Sequence, residues 1–334
     1  MTAAQITARF FQPLRMLCLL IFSRYPTEIM EQSDHSAKSS ETPTGAAGPS
    51  PETTAPSTHQ FNLVTLNAFG VPLRRTRTRL RSIARELNDR RLDAVCLQEV
   101  QWFRYAPLLF NAFTEFPYGA WERHIYAPKG GLMTLTRRAH QRTTFIPFEE
   151  RGPLFDLTLP DRMLHKGMLL CEIQHRALPI TIINTHLAAN YSGNWSRTNR
   201  YAKLEAAQLA QLADVVQSQP RERLVVVAGD FNVPRASWLY EDFLARAGLV
   251  DPLAHASVPT YRPSPLLPTI FADMLNVALD HTLVRVPPHV TMTLKGVVIL
   301  RDEVPLDDGH RRHLSDHNAI HLRLEWPQSP QGHD

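Results

Sequence analysis

The sequence predicts one α/β domain whose sheets are covered on both faces. Three observations carry this. First, DAVCLQEV (93–100) and LVVVAGDFN (224–232) are near-continuous apolar runs without polar alternation, as in strands buried on both sides. Second, the segments between such runs have helical spacing: Leu80, Ile83, Ala84 and Leu87 follow one another on one face. Third, the chain has 334 residues, 43% of them apolar, which is enough for a large core. No internal repeat of solenoid period occurs.

Taken in order, FNLVTLNAFG (61–70) alternates like a strand. The amphipathic segment TRLRSIARELNDRR follows, then the strand DAVCLQEV. GLMTLTR, GMLLCEI and ITIINTHL read as further short strands. A long helix is expected from about Arg197 to Gln217, with Tyr201, Leu204, Leu209, Leu212 and Val215 facing inward. LVVVAGDFN is the clearest buried strand, and HTLVRV, KGVVIL and AIHLRLEW complete the set. Strands mixed with two or three helices over roughly 270 residues make one α/β domain.

Residues 1–58 stand apart. The stretch 31–58 contains no Val, Leu, Phe, Trp or Tyr and is rich in Ser, Thr, Pro, Gly and Glu. It cannot bury enough apolar surface to offset its chain entropy and is read as a disordered extension and linker. Within residues 1–29, LRMLCLLIF (14–22) after Arg9 and Arg15 has the first two parts of a secretory signal but no small-residue cleavage site. Met30 opens a more ordinary start. The expectation is a cytoplasmic protein with its domain at 59–327 and a tail at 328–334; a working signal in 1–29 would make it secreted or membrane-associated. Cys18, Cys96 and Cys171 are odd in number and lack a CxxC pair, against a disulfide framework or zinc knuckle. The net charge of +4 suits a phosphate-bearing substrate without requiring one.

Each apolar run ends at a polar residue. FNLVTL leads into Asn67, DAVCLQ into Glu99, ITIINT into His186, LVVVAG into Asp230 and Asn232, and LNVAL into Asp280; Asp316 and His317 precede the last strand. Singly, each suits a turn, since Asn and Asp bond their own backbone. Together they are carboxylates, carboxamides and imidazoles at strand ends, where α/β proteins place their sites. With no Cys partner and no HExxH spacing, zinc is disfavoured. Hard oxygen ligands suit Mg²⁺, which keeps waters and accepts one or two carboxylates plus phosphate oxygens.

TLNAFG, LQEV, NTHL, GDFN, LDH and LSDH occur in that order. The chain thereby resembles the endonuclease/exonuclease/phosphatase superfamily of metal-dependent phosphoesterases over about residues 60–326. GGLMTLTR, HKGMLLCEI, INTHLAANY and ALDHTLVR are closest to its neutral sphingomyelinase-like branch, including Lys166–Gly167 and a His rather than Tyr at 281. Ala68–Phe69 departs from the bulkier residues often found after the first Asn. A membrane-spanning C-terminal segment found in some animal members has no counterpart after Trp326.

The resemblance implies a four-layer sandwich of two mixed β-sheets flanked by helices. It also implies hydrolysis of a phosphodiester by in-line attack of water. Glu99 would ligate Mg²⁺, with Mn²⁺ as an alternative, and Asn67 and Asp316 would complete the metal side. His317 would be the general base, oriented by Asp280. Asp230 would orient the water or assist the leaving oxygen, and Asn232 and His186 would donate to phosphoryl oxygens. Lys166 and His281 are the candidate substrate contacts. The partner is a phosphodiester, either a lipid headgroup such as that of sphingomyelin or nucleic acid, with peripheral membrane contact and no obligate protein partner.

Two stretches have both a bland and a sharp reading. Arg74, Arg75, Arg77, Arg79 and Arg81 read as a solvated helix face, or as a basic patch for nucleic acid or anionic membrane. SPLLPTIFADMLNVAL (264–279) reads as core, or as an apolar lip for lipid. A catalytically silent binding module on the same fold would have lost key groups, yet Asn67, Glu99, Asp230, Asn232 and His317 are all present.

Overall fold

A computed structural model describes residues 58–152, 164–262, 277–307 and 309–328. Thirteen strands and four helices are defined among them. In chain order they are β1 (Thr58–Asn67), α1 (Thr76–Asn88), β2 (Ala94–Gln98), α2 (Tyr105–Ala112), β3 (Tyr118–Ala120), β4 (Met133–Thr136), β5 (His140–Pro147), β6 (Gly167–His175) and β7 (Leu178–His186). There follow α3 (Arg200–Ser218), β8 (Leu224–Asp230), α4 (Trp238–Ala247), β9 (Asp280–Arg285), β10 (Thr293–Ile299), β11 (Val304–Pro305), β12 (Arg311–Arg312) and β13 (Ala319–Pro327).

The strands form a six-stranded sheet, β10-β13-β1-β2-β4-β3, and a five-stranded sheet, β5-β6-β7-β8-β9, with β11 and β12 as a small ribbon. Both large sheets are mixed. β1 and β2 are parallel, as are β7 and β8, and the other pairings are antiparallel. The inner faces meet in an apolar layer: Phe61, Leu63, Cys96 and Leu322 from one sheet oppose Cys171, Ile173, Ile182 and Val226 from the other. Outside, α1 and α2 cover the first sheet through Leu80, Ile83, Leu109 and Phe110. Leu209, Leu212, Leu239 and Phe243 of α3 and α4 cover the second. The architecture is the expected four-layer α/β sandwich. Covering on both faces is why DAVCLQ and LVVVAG carry no polar alternation.

The topology places the site. Each sheet contains one parallel pair joined by a crossover helix, α1 between β1 and β2 and α3 between β7 and β8. Parallel partners end at the same edge, so Asn67, Glu99, His186 and Asp230 all emerge together. Antiparallel partners begin where their neighbours end. β9 therefore starts with Asp280 opposite Asp230, and the residues before β13 lie beside the end of β1, where Thr65 pairs with Ile320.

Several local expectations shift. On α3 the inward face is Tyr201, Ala202, Glu205, Gln208, Leu209, Leu212, Ala213 and Val216; Leu204 and Val215 are only half-buried. The polar Glu205 and Gln208 replace them because the loop after β7 offers partners: Gln208 accepts from Ala188 N at 2.9 Å, and Asn190 Nδ2 donates to Glu205 at 3.4 Å. Helices α2 and α4 and strands β3 and β5 were not expected. Ser237 caps α4 by accepting from Tyr240 N, and Gly248 closes it in the left-handed region. Residues 1–57 and most of 264–279 lie outside the described residues.

Gly229, in the middle of the β8 motif, has φ +153°, and a Cβ there would stand 1.9 Å from Thr185 O. The close pairing of β7 with β8 therefore requires glycine. Gly229→Ala is expected to cost at least about 1–3 kcal/mol, as overpacking does. The thermal midpoint should drop by roughly 2–4 °C per kcal/mol. An unchanged midpoint in a calorimetric scan would contradict this register.

Candidate active site

Asp230 is the hub of the cleft. Its Oδ2 accepts from Asn67 Nδ2 at 2.9 Å and lies 3.5 Å from His186 Nε2 and 3.7 Å from His317 Nε2. Its Oδ1 accepts from the backbone N of Asn232 at 3.0 Å. Although burial alone would raise it, the imidazoles of His317 and His186, the Asn67 hydrogen bond and Lys166 hold its carboxyl below the usual range. Asn67 in turn comes from the opposite sheet, so this bond joins the two halves of the sandwich.

His317 forms a dyad with Asp280, its Nδ1 at 2.8 Å from Asp280 Oδ2. Both are buried, at 5% and 1% exposure. Burial would lower the imidazole, but Asp280, Asp230 and Asp316 hold it well above its ordinary value. Asp280 is pushed up to about 6, first by burial and then by Asp230, against the pull of His317. With Nδ1 committed to Asp280, Nε2 is the ring atom turned toward Asp230. The segment before β13 is fixed by Ser315, whose Oγ donates to Asn67 O at 2.6 Å and accepts from His317 N at 3.1 Å. Thr260 fixes the start of β9, its Oγ1 accepting from Leu279 N and Asp280 N at 2.9 and 3.0 Å.

Beside Asn67 and His317 stand Glu99 and Asp316. Glu99 follows β2 in the left-handed region, with φ 54°, and is half-buried. Its carboxyl is pushed up to about 7, by burial first and by Asp316 next, with His317 and a hydrogen bond from Asn67 opposing. Asp230, Asp280 and His317 also bring potential ligand atoms within 4.8 Å of one another. Those three already neutralise one another through the dyad and the His317–Asp230 approach. Glu99 and Asp316 repel each other, and a divalent cation would relieve that repulsion. The donor set therefore fits a hard cation on the Glu99, Asn67 and Asp316 side.

The remaining expected residues divide. Asn232, φ 53°, donates from Nδ2 to Leu187 O at 3.0 Å and sits beside Asp230. Lys166 is 4% exposed. Its Nζ donates to His186 Nε2 at 3.0 Å and to Leu187 O at 2.6 Å, so it stands behind His186. Burial, then Lys166, pushes His186 down to about 3, which keeps it neutral. His281 is not brought into the cleft. It is 0% exposed, its Nε2 lies 2.8 Å from Val233 O, and its ring packs edge-on against Phe231. Its neighbours are core residues because β9 alternates, turning Asp280 to the cleft and residue 281 to the helices.

Two residues escaped the sequence reading. Arg79, read there as part of a solvated face, points inward and donates to Ala68 O and Leu314 O at 2.6 Å each and to Phe69 O. It ties the loop after Asn67 to the loop before Asp316. Its spacing from buried Thr76 and Ile83 was the available signal. Tyr261 packs its ring 5.0 Å from that of His317. Its hydroxyl is pushed up to about 12 by burial and then by Asp316, Asp230 and Glu99. An aromatic after Thr260 carried no signal of its own.

The chain matches the Endonuclease/Exonuclease/phosphatase family over residues 64–317. It belongs to that family. Among curated proteins it is 24% identical over 169 residues to a sphingomyelinase C of Listeria ivanovii, covering 50% of this chain and 44% of that one. The chain thus spans under half the length of that relative. Sphingomyelinase C from Streptomyces griseocarneus shares the fold at TM-score 0.63 and 19% identity, over 81% of this chain and 100% of that chain. The beta toxin of Staphylococcus aureus with bound magnesium ions has a TM-score of 0.60 at 16% identity, over 81% and 100%. TDP2 of D. rerio complexed with a single-strand DNA product has 0.58 at 16%, over 79% and 98%.

Glu205 supplies a test of the scaffold behind Asn232. It is fully buried, its Oε1 has no partner among the described residues, and burial pushes its carboxyl up to about 9. The folded state therefore holds a proton that the unfolded chain releases. Stability is complete at low pH and erodes as pH rises from the ordinary carboxyl range toward about 9. Glu205→Gln should flatten the loss between about pH 6 and pH 9 in denaturant titrations. An equal slope in wild type and variant would place the carboxyl in water.

Proposed function

We propose that this protein is a metal-dependent phosphoric diester hydrolase that uses Mg²⁺, with a phospholipid headgroup diester as its substrate class. The observation that carries this reading is the arrangement of His317. Its Nδ1 is held by Asp280 at 2.8 Å, its Nε2 faces Asp230 at 3.7 Å, and Glu99 and Asp316 stand close enough to act on one another and on the imidazole.

The surrounding carboxylates favour the imidazolium, so the base is the form of His317 that has lost its Nε2 proton to solvent; it keeps the Nδ1 proton, donated to Asp280, and leaves the Nε2 lone pair for the attacking water. Asp230 orients that water by accepting a hydrogen bond from its second O–H, which stays intact. The water oxygen attacks phosphorus in line as the P–O bond to the leaving oxygen breaks; the water's proton moves to Nε2, where Asp280 and Asp230 stabilise the imidazolium, and the leaving oxygen takes up a proton from solvent. Glu99, with Asn67 and Asp316, would hold the cation. When bound, the cation neutralises the non-bridging phosphoryl oxygens and offsets the carboxylate field. The second N–H of the Asn232 carboxamide, beside Asp230, would donate where phosphoryl charge grows, whereas His186 Nε2 accepts from Lys166 and supports Asp230 from behind.

The family match, the sphingomyelinase relative and the magnesium in the S. aureus toxin support this reading. The DNA product in the TDP2 structure supports the alternative, a nuclease. The deciding experiment is turnover by purified protein of sphingomyelin, plasmid DNA and bis-p-nitrophenyl phosphate. Chelation should abolish activity and Mg²⁺ should restore it. His317→Ala should lower kcat by about 10²–10⁴ with an unchanged circular dichroism spectrum, and Glu99→Ala should abolish turnover. Near-wild-type turnover in either variant would sink the assignment, and cleavage of DNA alone would favour the nuclease.

A further inference from the structure

Five large apolar side chains are substantially exposed among the described residues, and three of them crown the loops at the site's own edge. Leu73 (56% exposed) follows β1 after Asn67, Phe103 (41%) follows β2 after Glu99, and Ile125 (61%) lies in the loop after β3. The three loops are joined. Gly70 N donates to Glu99 O at 2.8 Å, and Phe103 N donates to Tyr126 O at 2.8 Å. Thr76 bonds the Tyr105 hydroxyl at the start of α2, and the Arg77 charge acts on it. Exposed arginines flank the apolar tips: Arg74, Arg77 and Arg104, the last with its guanidinium 5.3 Å from the Phe103 ring centre. The neighbouring acid, Glu122, is paired with Lys129 at 3.2 Å, so it leaves the rim's positive field intact.

We propose that this rim is an interfacial docking surface for an anionic phospholipid membrane. It would seat the protein with the cleft facing the headgroups. The proposal rests on the phosphodiesterase reading only for what the docked cleft does, since docking itself needs no turnover. Charge complementarity selects an anionic surface, because basic groups near such a membrane each strengthen binding. The aliphatic tips select lipid over nucleic acid. Single strands are held by aromatic stacking platforms, and Leu73 and Ile125 have no π face to offer. Burying apolar tips in the acyl boundary, with arginines at the headgroups, is the interfacial mode.

The test uses the full chain in a flotation assay. Vesicles of phosphatidylcholine alone are compared with vesicles containing phosphatidylglycerol. The variants are Leu73→Ser, Phe103→Ser, Ile125→Ser and Arg104→Gln. Binding should require phosphatidylglycerol and weaken with salt. It should fall about tenfold for each apolar tip removed and about fivefold for Arg104→Gln. Turnover of soluble bis-p-nitrophenyl phosphate should be unchanged in all four, which separates failed docking from a failed enzyme. Vesicle binding equal to wild type in the three Ser variants would overturn the proposal. So would single-stranded DNA binding that exceeds vesicle binding and depends on Phe103 but not on Leu73 or Ile125.

Discussion

The structure depends on a polar bridge between two otherwise apolar sheets. At the catalytic edge, Asn67 of β1 donates to Asp230 of β8 at 2.9 Å. One layer deeper, Gln98 of β2 donates to Asn184 of β7 at 2.7 Å, and Asn184 reaches back to Leu97 O and Met133 O at 3.1 and 3.0 Å. All four side chains are almost fully buried. A buried amide left without partners costs more than a made bond gains, so sliding one sheet across the other is penalised at both levels. The apolar layer supplies the bulk of the association, while the bridges select the alignment that brings Asn67 and Glu99 to His186 and Asp230.

Alignment alone would leave the site with uncompensated charge. Four carboxylates, at 99, 230, 280 and 316, share the cleft with two imidazoles, one lysine and the Arg79 guanidinium. The pairs sort themselves: Asp280 with His317, Asp230 with Asn67 and His317, Lys166 with His186. Glu99 and Asp316 are left facing each other and the Arg79 guanidinium, whose N–H groups are committed to three backbone carbonyls; two carboxylates against one such cation are the physical case for a bound metal ion. Glu99 and Asn232 both take left-handed backbone conformations, which cost non-glycine residues about 1–3 kcal/mol. Such strain is tolerated where the surroundings over-determine it, and both residues turn sharply off a strand end to reach the cleft.

Much of this was legible in the sequence. Uninterrupted apolar runs such as LVVVAG announced strands covered on both faces, and the polar residue after each run marked the shared edge. Other features required the third dimension. A period-two strand turns His281 away from Asp280 and into the core, so the substrate contact that the resemblance implied at this position is not made. Glu205 and Gln208 occupy an inward face because partners arrive from the loop after β7, and helical periodicity counts only apolar residues. Arg79 looked like its neighbours in an arginine-rich stretch, yet it points inward to three carbonyls supplied by residues as distant as Leu314. Helix α4 was within reach, since Ser237 and Gly248 are ordinary caps, whereas β5 is a weakly patterned strand at a sheet edge.

The proposed chemistry turns on a single placement: a hard divalent cation against Glu99, clear of the Asp280–His317 dyad. Crystals soaked in Mn²⁺ and measured at the manganese absorption edge report it directly. One anomalous peak is expected within bonding distance of the Glu99 carboxylate, on the side of Asn67 and Asp316, with His317 Nε2 left unligated. A peak between Asp280 and His317, or none in the cleft at saturating Mn²⁺, would contradict it.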